Sequence, residues 1–118
     1  VVAPLEVNTS DPNFEPLREN FDRLKSMRDQ GGRSLEIVPL PMPQPMFHEG
    51  QRLPASYCNF YIANGAVIAP VFDDPADAPA IDLLRSLFPG REVIDLPARD
   101  LAWGLGAFHC ITQQEPAR

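Results

Sequence analysis

Trp103-Gly104-Leu105-Gly106-Ala107-Phe108-His109-Cys110-Ile111-Thr112-Gln113-Gln114 is the stretch on which the reading of this chain turns. Two of its glycines precede a short apolar run that holds a cysteine, and glycine lets backbone bend sharply or approach another group where a side chain would block it. Ala107 to Thr112 reads as a β-like segment, whose alternation sets Phe108 and Cys110 on one face and His109 and Ile111 on the other. On that reading His109 is badly placed to serve Cys110 as a base. The residues alone leave Cys110 with two roles: a small buried hydrophobe, the usual fate of a free cysteine, or a nucleophile beside glycine backbone.

Immediately upstream, Glu92 to Leu96 reads as a strand, and before it Asp73-Asp74-Pro75 opens a helix that Pro89-Gly90 stops. Ala80, Ile81, Leu84, Leu87 and Phe88 form its buried side. Further back, Ser56 to Ala63 and Ala66 to Phe72 are β-rich runs joined by Asn64-Gly65, the pair that favours a two-residue type I′ hairpin turn central to the sheet. Alternation along the first run places Tyr57, Asn59 and Tyr61 on one face and Cys58 and Phe60 on the other. Cys58 is then structural, and Asn59 is either a buried hydrogen-bonding residue or a group facing a substrate cavity.

In the first third, Asn8-Thr9-Ser10-Asp11-Pro12 is a helix start with Ser10 or Asp11 as cap. Phe14, Leu17, Phe21 and Leu24 form its core-facing stripe, and Gly31-Gly32 its stop. Leu35 to Val38 reads as a strand. Pro39, Pro41, Pro43 and Pro45 then remove every second backbone donor, which argues for an extended surface loop running to Pro54. His48 beside Glu49 in that loop is an acid/base pair or a solvated histidine. Glu36-Ile37-Val38-Pro39-Leu40-Pro41 and Glu92-Val93-Ile94-Asp95-Leu96-Pro97 correspond position by position, each after a helix, so a helix-strand unit repeats near 14–41 and 75–97.

The 118 residues allow one small domain, 1–118, with a single core. A net charge of -6 argues against a nucleic-acid surface, and suits a small cationic ligand. No apolar run reaches the roughly 20 residues of a membrane span and no signal peptide is visible, so a cytoplasmic protein without membrane attachment is expected. Two cysteines are too few for a disulfide framework. Val1-Val2-Ala3 reads as a strand already under way, which suggests a fragment or a processed chain.

Gly104-Leu105-Gly106-Ala107-Phe108-His109-Cys110-Ile111-Thr112-Gln113-Gln114 resembles the C-terminal signature Gly-Gly-Gly-x-Ile-His-Cys-x-Thr-Gln-Gln of the agmatine deiminases and the related Porphyromonas-type peptidylarginine deiminases, departing from it at Leu105 and Phe108. Pro54-Ala55-Ser56-Tyr57-Cys58-Asn59-Phe60-Tyr61 is similar to that family's Pro-x-Ser-Tyr-x-Asn-Phe-Tyr run. The two matches lie in order between residues of about 50 and 114.

The resemblance implies an α/β protein, with this chain as about two units of a five-bladed α/β propeller, the pentein fold of guanidino-modifying enzymes. It implies hydrolytic deimination, agmatine going to N-carbamoylputrescine and ammonia on the way to putrescine, with Cys110 as nucleophile and neither metal nor cofactor. Gly104, Gly106 and Asn59 are the candidate substrate-binding residues. The family's histidine and carboxylates fall in earlier units, so the 118-residue chain alone is expected to lack turnover and to need upstream chain or a second copy over its strand edges. A peptidylarginine deiminase, an amidinotransferase and a non-catalytic binding or dimerisation module of the same fold are the alternatives.

Overall fold

The computed structural model describes residues 1–116. The chain is mixed α/β and forms two compact units, one spanning Val1–Met42 and one from Pro43 onward.

The first unit is a strand-helix-strand element: β1 (Val2–Leu5), α1 (Phe14–Ser26) and β2 (Val38–Pro41). β1 and β2 pair in parallel, from Val2 opposite Val38 to Leu5 opposite Pro41. Pro39 and Pro41 therefore belong to a strand, which corrects the loop expected there. The reason is directional: in a parallel ladder alternate residues point their N–H groups to opposite sides. The Val38 N–H donates to Val1 O at 2.8 Å, so Leu40 shares that direction and the missing donors of the two prolines fall on the side away from β1. Leu40 and Ala3 are buried.

α1 starts later than its candidate caps, after Asn13, although Asp11 does shape the turn before it by accepting the Asn13 N–H through Oδ1 at 2.8 Å. It also ends earlier, at Met27 rather than Gly31. Downstream of that end, Asp29 Oδ1 accepts the N–H groups of Gly31 and Arg33, at 2.8 and 2.9 Å, and a side chain that satisfies backbone donors locally competes with helix continuation. These bonds, the Arg33 N–H first, hold the Asp29 carboxyl below its usual range. Phe14, Leu17, Phe21 and Leu24 are half-buried.

The second unit holds a short hairpin, β3 (Phe47–His48) and β4 (Gln51–Arg52), and a three-stranded sheet of β5 (Tyr61–Ile62), β6 (Ala66–Val71) and β7 (Glu92–Pro97) in the order β5-β6-β7. β5 is antiparallel to β6, with Tyr61 opposite Ile68, and β7 runs parallel to β6 over six residues. The helix α2 (Asp77–Leu87) joins β6 to β7, burying Ala80, Ile81 and Leu84, with Leu87 and Phe88 half-buried. Both units thus contain two parallel strands connected through a helix. A short α3 (Arg99–Trp103), which the sequence reading does not foresee, follows β7.

Two turns differ from expectation. The positive φ pair that a type I′ turn needs lies at Glu49 and Gly50, with φ of 49° and 79°, and not at Asn64-Gly65. The expected strand from Ser56 is also shorter, because the Cys58 N–H donates to Ser56 Oγ and the Asn59 N–H to Ser56 O, which closes a turn. Among the described residues no helix is long and apolar enough to cross a membrane.

Candidate active site

Cys110 lies on a helical turn, not on a strand. The Ile111 N–H donates to Ala107 O at 3.2 Å and the Thr112 N–H to His109 O at 3.3 Å, while Thr112 Oγ1 donates to Phe108 O at 2.7 Å. A hydroxyl that bonds back to a carbonyl four residues earlier suits a single closed turn better than a ladder. The alternation expected for Ala107–Thr112 therefore does not apply. Cys110 and its neighbour His109 are both exposed.

Three bonds tie this turn to Asn59, the residue at the far end of the Ser56 turn. Asn59 O accepts the His109 N–H at 3.2 Å, Asn59 Oδ1 accepts the Cys110 N–H at 3.2 Å, and Asn59 Nδ2 donates to Cys110 Sγ at 3.0 Å. Because a carboxamide has one acceptor and one donor end, the Cys110 N–H fixes which end meets the sulfur. Both ends of the Asn59 carboxamide thus meet Cys110.

The glycines of the motif differ in what they do. A Cβ added to buried Gly106 would meet Cys110 Cβ at 2.7 Å and Sγ at 3.1 Å, so glycine is what lets the cysteine pack there. Gly104 instead caps the C-terminus of α3, its N–H donating to Leu101 O at 2.9 Å. Leu105, between them, has a φ of 63°, in the left-handed region where a branched side chain is strained. Asn59, Gly106 and Cys110 thus converge, and Gly104 sits at a helix end.

The two cysteines differ in environment. Cys58 is half-buried, and burial pushes its thiol up to about 11 against a weaker opposing bond from Ser56. A thiol held in that state is a poor nucleophile near neutral pH, whereas Cys110 is open to solvent. Downstream of it, Gln113 and Gln114 line a cleft of about 550 Å³ with Tyr61, Ile62, Ala63 and Asn64. The two sequence motifs therefore meet twice, at the Asn59–Cys110 contact and along this cleft.

Other polar groups fall outside this cluster. His48 is held by Trp103, their rings stacked with centroids 4.2 Å apart, a contact that no local pattern around either residue signals. Asp77 Oδ1 accepts the Tyr57 hydroxyl at 2.7 Å and the Phe72 N–H at 3.0 Å, and its Oδ2 accepts the Asp74 N–H at 3.0 Å. Burial first, then Asp77, holds the Tyr57 phenol well above its usual range. Among the described residues no group of three or more His, Cys, Asp or Glu side chains could hold a metal ion.

The Porphyromonas-type peptidyl-arginine deiminase family matches residues 1–116 of this chain. An agmatine deiminase of Pseudomonas putida is 40% identical over 93% of the chain. A solved Porphyromonas gingivalis structure, provisionally named an arginine deiminase, superposes with a TM-score of 0.94 at 39% identity over 98% of the chain and 34% of its own length. An Enterococcus faecalis agmatine deiminase structure gives 0.91 at 29% identity, over 98% of this chain and 36% of that one. The chain spans 35% of the length of the Pseudomonas putida relative, about a third.

Proposed function

This chain belongs to the Porphyromonas-type peptidyl-arginine deiminase family, and on that premise we propose that the whole protein hydrolytically deiminates a guanidino substrate, agmatine before peptidyl arginine. Agmatine would yield N-carbamoylputrescine and ammonia. The observation that carries the reading is the placement of Cys110: exposed, on a closed turn, with Gly106 clearing space against it and an Asn59 amide N–H on its sulfur.

The chemistry assigned to Cys110 begins with attack of its thiolate on the planar guanidinium carbon, forming an S–C bond. Proton transfer to one amino group from a histidine in another unit of the whole protein lets it leave as ammonia, and the same imidazole then takes the proton of the water that attacks the remaining thiouronium carbon. Collapse breaks the S–C bond, releases the ureido product and returns the thiolate. Negative charge on the sulfur is met by the Asn59 N–H, an interaction that strengthens as the sulfur becomes anionic. The Cys110 and His109 backbone donors are committed to Asn59, which holds the turn while the sulfur changes partners.

On the same reading the two strand-helix-strand elements are units of a five-bladed propeller, and the histidine and carboxylates that complete the reaction come from other units. Turnover then requires the whole protein, and the 118-residue chain alone would release no ammonia. The test is ammonia release from agmatine by the full-length protein beside its Cys110→Ala variant and beside this chain. Cysteine-dependent release by the full-length protein only is the expected result. Release by the Cys110→Ala variant would remove the nucleophile assignment, and dependence on an added amine would replace hydrolysis by amidino transfer.

A further inference from the structure

We propose that Leu105 is a specificity-determining residue for the deiminase reaction: its exposed side chain, carried on strained backbone beside Cys110, is an apolar wall for the methylene chain of the substrate. The inference deepens the deiminase reading of Cys110 and rests on it, and it names the substrate class as guanidines borne on an unbranched hydrocarbon chain.

Leu105 has a φ of 63°, a conformation that glycine adopts freely and a branched side chain only at a cost. Local packing gives little in return. The side chain is exposed, and the Leu105 N–H donates to Ala102 O at 3.0 Å, a bond that glycine would make equally well. The family signature has glycine here, so the leucine adds a side chain to a turn that needs none. Strain kept where the fold gains little from it points to a functional constraint.

The distance from this residue to the thiol follows from Gly106. A Cβ on Gly106 would lie 2.7 Å from the Cys110 Cβ. One peptide step of about 3.8 Å leads back to the Leu105 Cα, which places the leucine within about 8 Å of the Cys110 Cβ. A guanidinium carbon poised for attack stands about 3–3.5 Å from the sulfur, so the methylenes attached to it extend through the same range of distance. Trp103 and Ile111 are also exposed, one before Leu105 in the chain and one directly after Cys110. Single apolar side chains on a surface need no explanation, but three grouped around one nucleophile fit an apolar ligand. From Trp103 to Gln114 there is no Asp, Glu, Lys or Arg. This stretch suits the hydrocarbon part of a guanidino compound and leaves its cationic groups to carboxylates elsewhere.

The experiment uses the full-length protein and its Leu105→Gly and Leu105→Asn variants. Glycine and asparagine both accept left-handed backbone, so each removes the apolar side chain without adding strain. In the first arm Cys110 is alkylated at pH 7 by iodoacetamide or by its N-butyl derivative, with peptide mass spectrometry to separate Cys110 from Cys58. The ratio of the N-butyl rate to the parent rate at Cys110 should fall by roughly fivefold or more in both variants, the effect of partly burying a four-carbon chain. An unchanged ratio would overturn the proposal. This arm needs no turnover, so it decides the role of Leu105 separately from the deiminase reading. In the second arm the ratio of kcat/KM for butylguanidine to that for methylguanidine, read as ammonia release, should fall by a similar factor. A loss shared equally by the two guanidines would make Leu105 a structural residue and overturn the assignment. No ammonia from either guanidine or from agmatine with the unsubstituted protein would overturn the deiminase reading instead, and the alkylation ratio would then stand as the test of the apolar wall.

Discussion

Gly106 and Cys110 are packed so that a methyl group on the glycine would lie 2.7 Å from the Cβ of the cysteine. The clash is with a side-chain root, not with the end of a flexible chain, so relief requires movement of the turn that carries the thiol. Gly106→Ala should therefore cost about 1–3 kcal/mol of stability, the usual price of overpacking. It should also lower Cys110-dependent ammonia release by at least about tenfold, since small misplacement of a reacting atom is costly. Chemical denaturation and the ammonia assay read the two effects separately; full activity would show that the turn adapts without moving the sulfur.

Leu105 stands in the left-handed region, with φ of 63°, at the position where the family signature has glycine. Its side chain is 58% exposed, so little packing offsets the backbone strain. Left-handed backbone costs a branched residue about 1–2 kcal/mol, and glycine returns roughly 0.5–1 of that through its freer unfolded chain. Leu105→Gly should raise stability by about 0.5 kcal/mol, a small increase in denaturation midpoint, whereas Leu105→Val should lower it. A Leu105→Gly protein less stable than its parent would mean that the leucine side chain is held by contacts worth more than the strain.

Asp77 serves three donors, the Tyr57 hydroxyl and two backbone N–H groups, and Tyr57 is fully buried. Removing the acceptor leaves these donors unsatisfied, while removing the hydroxyl takes one donor away and leaves the acceptor occupied. Asp77→Ala should cost about 2–4 kcal/mol and Tyr57→Phe only about 1. Urea denaturation of the two variants checks the order; equal costs would show that the Tyr57 bond carries the whole contribution of Asp77.

Cys58 offers a pH test. Its thiol titrates at about 11 in the folded chain against an ordinary 9, burial being the largest cause. A raised folded value means that the native state holds the proton longer than the unfolded state, so the contribution is intact below pH 9 and is lost as pH rises toward about 11. Stability should decline across that window, and Cys58→Ala should flatten the decline even though it lowers stability at pH 7. Tyr57, also raised, acts in the same direction from about pH 10 upward, so a residual slope above that point is expected in the Cys58 variant. An unchanged slope between pH 9 and 10 in Cys58→Ala would place the thiol in water, against its burial.

The elements most legible in the sequence are those set by short-range chemistry. The apolar spacing of Ala80, Ile81 and Leu84 and the Pro89-Gly90 stop mark α2, and β6 and β7 follow from their apolar runs. The motif around Cys110 marked both the family and the cysteine that is open to solvent. Local pattern misled where a single residue type carried the inference. Alternate prolines argue for a loop from Pro39 onward, yet β2 runs through to Pro41, because a parallel edge needs donors only at every second residue. Asn64-Gly65 favours a type I′ turn by residue type, yet the positive φ pair is Glu49-Gly50, where strand pairing on both sides imposes it.

What only the tertiary structure decided is the state of the cysteine. Cys110 and Asn59 are 51 residues apart, and the two bonds between their side chain and backbone groups have no trace in any window of sequence around either. The sequence by itself determined which residues are present and which turns and helices they favour, because propensity and periodicity act over a few residues. Which group faces the sulfur was settled by closure of the chain over that long separation, where the Asn59 carboxamide had one donor end left to present.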